Sequence, residues 1–180
     1  MRINAEDTMA LVIDVQEKLV PAMKNSTRCV QNIRILTEGF SLLNIPFLIT
    51  QQYTKGLGMT VPEIRDCADP LSCYEKITFS CYENEEIRES IISRQRKNII
   101  LCGIEAHICV LQTAVDLKAA GYQVIAVTNC MDSRKDEDRE EAFKRFAYEG
   151  IMTATYESLL FELTRRAGSD TFKAVSRLIK

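Results

Sequence analysis

Apolar runs of strand length alternate with longer stretches of helical period along most of this chain. Met9-Ala10-Leu11-Val12-Ile13 is the first run, and Phe47-Leu48-Ile49, Asn98-Ile99-Ile100-Leu101-Cys102 and Gln123-Val124-Ile125-Ala126-Val127 follow, with a shorter one near Ile151-Met152-Thr153. Unbroken apolar runs, as opposed to strict alternation, mark strands covered on both faces. Between the first two, Val30, Ile33, Thr37, Phe40 and Leu43 recur at helical spacing; Ser26 can cap that helix, and Asn44 and Pro46 end it. Asn84 caps a second helix bearing Ile87, Ile91 and Ile92. A third opens at about Ile108 and runs through Val110, Ala114 and Leu117 to Gly121. A charged helix from about Lys135 to Tyr148 turns Ala142, Phe143, Phe146 and Ala147 inward and stops at Gly150, and two more cover about Tyr156 to Thr164 and Asp170 to Ile179.

This rhythm predicts an α/β fold: a doubly wound three-layer α/β/α sandwich around a mainly parallel, six-stranded sheet, with residues 1–180 forming one domain. Such sheets bind ligands outside the carboxyl ends of their strands. Candidate residues collect at that edge. Asp14 ends the first strand, Gly103 follows the strand at 98–102, and Asn129-Cys130-Met131-Asp132-Ser133-Arg134 follows the strand at 123–127. The longest irregular stretch, Gln51 to Leu71, holds Gly56, Gly58, Pro62 and Pro70, and a loop of that length in a compact domain is usually functional.

Composition narrows the partners. The chain has 180 residues, enough for one ordinary core, and a net charge of −2 that offers no field for nucleic acid or anionic lipid. Met1-Arg2-Ile3-Asn4 leads directly into a strand without the features of a signal peptide, and no apolar run approaches membrane-spanning length. The expectation is a cytoplasmic protein with a small-molecule substrate, no nucleic acid and no membrane. The seven cysteines contain no C-x-x-C pair, so reduced thiols are expected.

Chemistry concentrates in Gly103-Ile104-Glu105-Ala106-His107-Ile108-Cys109, where a strand turns into a helix. Cys109 falls in the first helical turn, where unpaired N–H groups and the positive end of the dipole are expected to stabilise a thiolate. Asp14 supplies a carboxylate at the same sheet edge and Lys76 a cation. Each has an ordinary alternative: a buried structural thiol, a loop anchor, a surface lysine. His107 is the single histidine; standing two residues before the thiol, it need not face it, and one histidine makes no zinc site without further ligands. The run from Arg134 to Glu141 reads most simply as a solvated helix start, although Ser133 and Arg134 could reach a polar substrate.

Taken in order, Ala10-Leu11-Val12-Ile13-Asp14-Val15-Gln16, Lys76, and Gly103-Ile104-Glu105-Ala106-His107-Ile108-Cys109-Val110 resemble the isochorismatase-like cysteine hydrolases, a family that includes nicotinamidases and carbamoylases. The resemblance covers essentially the whole chain. It implies that Cys109 is a nucleophile, Asp14 its general base and Lys76 the supporting cation. It further implies a cis peptide at Ile104–Glu105, an oxyanion hole from the backbone N–H groups of Glu105 and Cys109, and self-association into a homo-oligomer; Gln16, Tyr53, Tyr82 and Ile108 are candidate pocket walls. Thr50-Gln51-Gln52-Tyr53-Thr54-Lys55-Gly56-Leu57-Gly58 lacks the histidines and aspartates of the nicotinamidase metal motif, so no metal and no cofactor are expected. Ala106 and His107, where many members have threonine then aspartate, together with the Gln-Tyr-x-Lys-Gly-Leu-Gly loop, point to the isochorismatase-domain-containing branch. The implied reaction is hydrolysis of a small amide or related C–N bond through a thioester. Two other readings stand beside it: a catalytically quiet binding or scaffold protein, and a thiol redox sensor in which Cys102 or Cys130 resolves Cys109.

Overall fold

The computed structural model describes residues 2–67 and 72–180. Its sheet has six parallel strands in the order β3-β2-β1-β4-β5-β6. They are β1 (Thr8–Ile13), β2 (Phe47–Gln52), β3 (Cys73–Lys76), β4 (Asn98–Ile104), β5 (Gln123–Asp132) and β6 (Met152–Ala154). Helices α1 (Ser26–Leu42), α2 (Thr54–Leu57), α3 (Pro62–Arg65), α4 (Glu85–Ser93), α5 (Leu111–Ala119), α6 (Asp136–Tyr148), α7 (Tyr156–Thr164) and α8 (Asp170–Ile179) complete the chain. The strand order reverses between β1 and β4, and such a switch opens a crevice at the carboxyl edge.

Side chains of β1 alternate between two apolar layers, as strand geometry requires. Ala10 and Val12 pack with Ile33, Leu36 and Phe40 of α1, Leu159 and Leu160 of α7 and Val175 of α8. Met9, Leu11 and Ile13 pack with Ile87 and Ile91 of α4, Ala114 and Leu117 of α5 and Phe146 of α6. Every residue of β1 and β4 is buried, which accounts for their unbroken apolar runs.

The structure departs from the pattern in four places. β3 is a sixth strand that no apolar run announces; it lies at the sheet edge, where Cys73 and Tyr74 are half-buried and Glu75 exposed. β2 and β5 continue through Thr50-Gln51-Gln52 and Thr128-Asn129-Cys130-Met131-Asp132, because their neighbours supply ladder partners beyond the apolar stretch. Part of the long irregular stretch is the helical turns α2 and α3; Pro70 and Leu71, at its end, lie outside the described residues, as does Met1. Ser26 is the first residue of α1, not its cap; Asn25 precedes the helix and donates its N–H to Asp132 Oδ2 at 2.6 Å. Asn84 does cap α4, accepting from Ile87 N at 3.1 Å.

Candidate active site

Strand register brings the first two candidate residues together. Ile13 pairs with Thr50 on β2 and with Gly103 on β4, so Asp14, the next residue, leaves the sheet at the switch point. It does so at φ +53°, a left-handed conformation that is uncommon for a non-glycine residue. Its N–H donates to Thr50 O at 3.1 Å, and Thr50 Oγ1 donates to its Oδ1 at 2.7 Å. One strand further out, Lys76 ends β3 opposite Gln52. Its ammonium donates to Asp14 Oδ2 at 2.6 Å, Gln52 Oε1 at 2.7 Å and Thr78 O at 3.2 Å. All three ammonium hydrogens thus have acceptors, which a buried cation requires. Neither side chain of the pair is exposed to solvent. Burial is the largest single influence and would lower the Lys76 pKa, but the charge and hydrogen bond of Asp14 together with the nearby Cys81 and Cys109 outweigh it, and the net direction is upward.

The cysteine arrives from β4. Gly103 has φ +121°, and a Cβ there would overlap the Ile13 carbonyl oxygen, so only glycine permits this approach of the two strands. The Ile104–Glu105 peptide bond is cis. Ala106–Val110 then form a widened turn ahead of α5. The Glu105 carbonyl accepts from Ile108 N at 3.1 Å and Val110 N at 3.3 Å. Widened turns of this kind recur at functional sites. Cys109 itself is buried but retains 7% exposure. Its carbonyl accepts from Thr113 Oγ1 at 2.7 Å, and the same hydroxyl accepts from Cys81 N at 2.9 Å.

The expected resting thiolate is corrected by the structure. Burial pushes the Cys109 thiol pKa up, the charge of Asp14 adds to this, and Lys76 offsets only part of it. A helix-start dipole is a partial charge, and here it is set against desolvation and a full carboxylate charge.

The remaining candidates separate. Ile108 is half-buried beside Cys109. Gln16 is fully buried and spends its amide on the main chain, donating to Gln52 O at 3.0 Å and Gly58 O at 2.7 Å and accepting from Gln52 N at 2.7 Å. It pins the long loop to β2. Tyr53 is about half exposed, with its ring against Gly56. Tyr82 turns edge-on to Tyr122, with ring centroids 6.1 Å apart. His107 shares a hydrogen bond with Ser133 Oγ at 2.9 Å and faces Asp138 at 3.8 Å. Arg134 donates from its backbone and guanidinium to Glu105 Oε2 at 3.1 and 3.0 Å. Ser133 and Arg134 therefore hold the cysteine turn in place. Cys102 and Cys130 belong to the α1-side layer and Cys109 to the other, so the sheet separates Cys109 from both proposed resolving partners. Among the described residues, no group of three or more His, Cys, Asp or Glu side chains is arranged to hold a metal ion.

Sequence reasoning missed Thr50, Gln52, Thr113 and Cys81. The first two could have been found by extending β2 past its apolar run to the adjacent polar residues; Thr113 and Cys81 carry no local signal.

The fold and site define a doubly wound α/β protein whose candidate ligand site lies at the β1/β4 switch point. The isochorismatase domain model matches residues 8–158, and the chain belongs to that family. Isochorismatase domain-containing protein 2 of Danio rerio is 36% identical over 179 residues, covering 99% of this chain and 89% of the relative. The structure of MAR1 ribonuclease from Caenorhabditis elegans superposes with a TM-score of 0.93 at 34% identity, covering 99% of this chain and 92% of that one. The Escherichia coli YcaC gene product, described as an octameric hydrolase of unknown specificity, has a TM-score of 0.94 at 21% identity over 99% of this chain and 89% of its own. That last likeness is one of fold. No helix among the described residues is long and apolar enough to cross a membrane.

Proposed function

We propose that residues 1–180 act as one metal-independent cysteine hydrolase domain that cleaves a small amide or related C–N bond. The observation carrying this reading is the solvent-excluded Lys76–Asp14 pair, 2.6 Å apart, which together with Cys109 lies at the carboxyl edge of the sheet. In this scheme the resting thiol is protonated. As Cys109 Sγ attacks the substrate carbonyl carbon, its proton passes to the Asp14 carboxylate, whose charge Lys76 and Thr50 hold in place. Asp14 then delivers that proton to the departing amine, leaving a thioester on Cys109. Water attacks the thioester with Asp14 again as base, releasing the acid and restoring the thiol. The backbone N–H groups of Glu105 and Cys109 are assigned to the oxyanion.

The name of the nematode neighbour raises RNA cleavage as a second activity. A net charge of −2 and a thiol with 7% exposure favour a small uncharged carbonyl over a polyanion. RNA therefore belongs in the panel as a contrasting substrate. The test is turnover of small linear amides, carbamoyl compounds, esters and RNA by the wild type and Cys109→Ala, with intact-mass capture of the acyl-enzyme. The expected result is amide turnover and a covalent adduct on Cys109, both lost in the variant. Turnover of none of these, or turnover that Cys109→Ala leaves unchanged, would sink the proposal and return the fold to a binding role.

Self-association is part of the same reading. Ile77 and Phe79 follow Lys76 directly at 69% and 53% exposure, a surface suited to burial against another copy, and the octameric neighbour supports it. Light scattering on the purified protein distinguishes a monomer from an oligomer. The unpaired cysteines fit a reducing, cytoplasmic setting.

A further inference from the structure

Hydrolysis as proposed leaves one nucleophilic group at the site without a task. Cys81 is fully buried in the same apolar layer as Cys109. Thr113 Oγ1 bonds to the backbones of both cysteines, at Cys81 N and Cys109 O. On its other side Cys81 Sγ contacts Thr50 Oγ1 at 3.8 Å, and that hydroxyl donates to Asp14. The two thiols therefore flank one carboxylate, and both are pulled down by the single charge of Lys76, against burial and Asp14, which push them up. Cys29, Cys102 and Cys130 lie in the layer across the sheet, away from that cation. Exposure divides the two thiols: Cys109 keeps 7%, while Cys81 has none. Of these two, an oxidant arriving from solvent meets Cys109 first. Cys81 is sealed against direct attack and sits in the irregular segment between β3 and α4, without a strand or helix to hold it back.

We propose that Cys109 is a site of oxidation by hydroperoxides and that Cys81 is its resolving thiol, closing a reversible Cys81–Cys109 disulfide. In the first step Cys109 gives its proton to Asp14 and its sulfur attacks the O–O bond; that bond breaks, the departing oxygen takes the proton and leaves as an alcohol, or as water for hydrogen peroxide, and Cys109 becomes a sulfenic acid. In the second, Cys81 sulfur attacks that sulfenic sulfur, the S–O bond breaks, and water leaves carrying the Cys81 proton. A thiol reductant reverses the disulfide and restores both groups. While it persists, Cys109 is unavailable as a nucleophile and is protected from the irreversible sulfinic and sulfonic states. This rests on the placement of two thiols about one charge pair and does not require amide turnover.

The test treats the full chain with equimolar hydrogen peroxide, blocks remaining thiols with iodoacetamide under denaturing conditions, and maps peptides without reduction. The expected result is a peptide pair linked through Cys81 and Cys109, loss of two of the seven thiols, and their full return with dithiothreitol. In Cys81→Ser the same treatment forms no such link, and Cys109 stops at the sulfenic acid, going on to sulfinic acid when a second equivalent of peroxide is added. The proposal is overturned if the wild type carries Cys109 to sulfinic acid with Cys81 still free, links Cys109 to another cysteine, or loses no thiol. The wild-type map decides the matter even where Cys81→Ser does not fold. Failure here leaves the hydrolase reading to its own panel, since Cys109→Ala and amide turnover do not involve Cys81.

Discussion

Replacing Lys76 by methionine tests the centre of the site without reference to any substrate. Methionine keeps most of the side chain's bulk but removes the charge and all three donors, leaving Asp14 Oδ2, Gln52 Oε1 and Thr78 O without their shared partner. At 2.6 Å and an effective dielectric of ~20 the Coulombic attraction alone is about 6 kcal/mol. Desolvation of both ions offsets much of this, and removing one partner of a buried pair typically costs about 3–5 kcal/mol. For a chain of this length that corresponds to a fall in Tm of about 6–20 °C. Urea denaturation of wild type, Lys76→Met, Asp14→Asn and the double variant at pH 7 completes a thermodynamic cycle. Asp14→Asn with Lys76→Met should be more stable than the sum of the single losses implies, with a coupling above about 1 kcal/mol. A loss below about 1 kcal/mol for Lys76→Met, or strictly additive variants, would falsify the claim that the two groups form one buried pair.

Two further outcomes follow from the geometry. Gly103→Ala places a Cβ against the Ile13 backbone at φ +121°, so it should destabilise the chain by about 2 kcal/mol or more and disturb the Asp14 turn; thermal melts and Cys109 alkylation rates read both, and an unchanged Tm refutes the close approach. Buried thiols make stability fall in alkali. Burial raises Cys29 to about 12 and Cys81 to about 11, and it raises Cys102, Cys109 and Cys130 as well, from 9.0. Below pH 9 both folded and unfolded thiols are neutral; above it the unfolded chain ionises first, so stability is lost as pH rises toward the folded values. Lys76 adds to the loss above pH 10.5. The slope approaches about 1.4 kcal/mol per pH unit for each thiol that stays protonated only when folded. Urea midpoints that remain flat from pH 9 to 11 refute it.

Much of this architecture is legible residue by residue. Strands buried on both faces must be apolar throughout, so β1 and β4 announce themselves, and the 3.6-residue spacing of Ile33, Phe40 and their neighbours does the same for α1. Asp14 is legible because it directly follows β1 at its carboxyl end, and Cys109 because it lies in the turn that joins β4 to α5. β3 is not. An edge strand has one ladder partner and half-buried faces, so Cys73-Tyr74-Glu75-Lys76 has no apolar signature, and the residue that completes the charge pair sits on it.

Hydrophobic pattern reports whether an element is covered, because burial acts on each side chain where it stands. It therefore determined the layers, the parallel sheet and the edge at which chemistry collects. Only the assembled structure decided that Lys76 meets Asp14 across 62 residues of chain, that Thr50 and Gln52 hold them, and that the Gln16 amide is bonded to the main chain. It also decided that burial and the Asp14 charge push the Cys109 thiol pKa up. These outcomes depend on strand register and on the total charge and solvent around each group, quantities set by residues distant in the chain and absent from any local pattern.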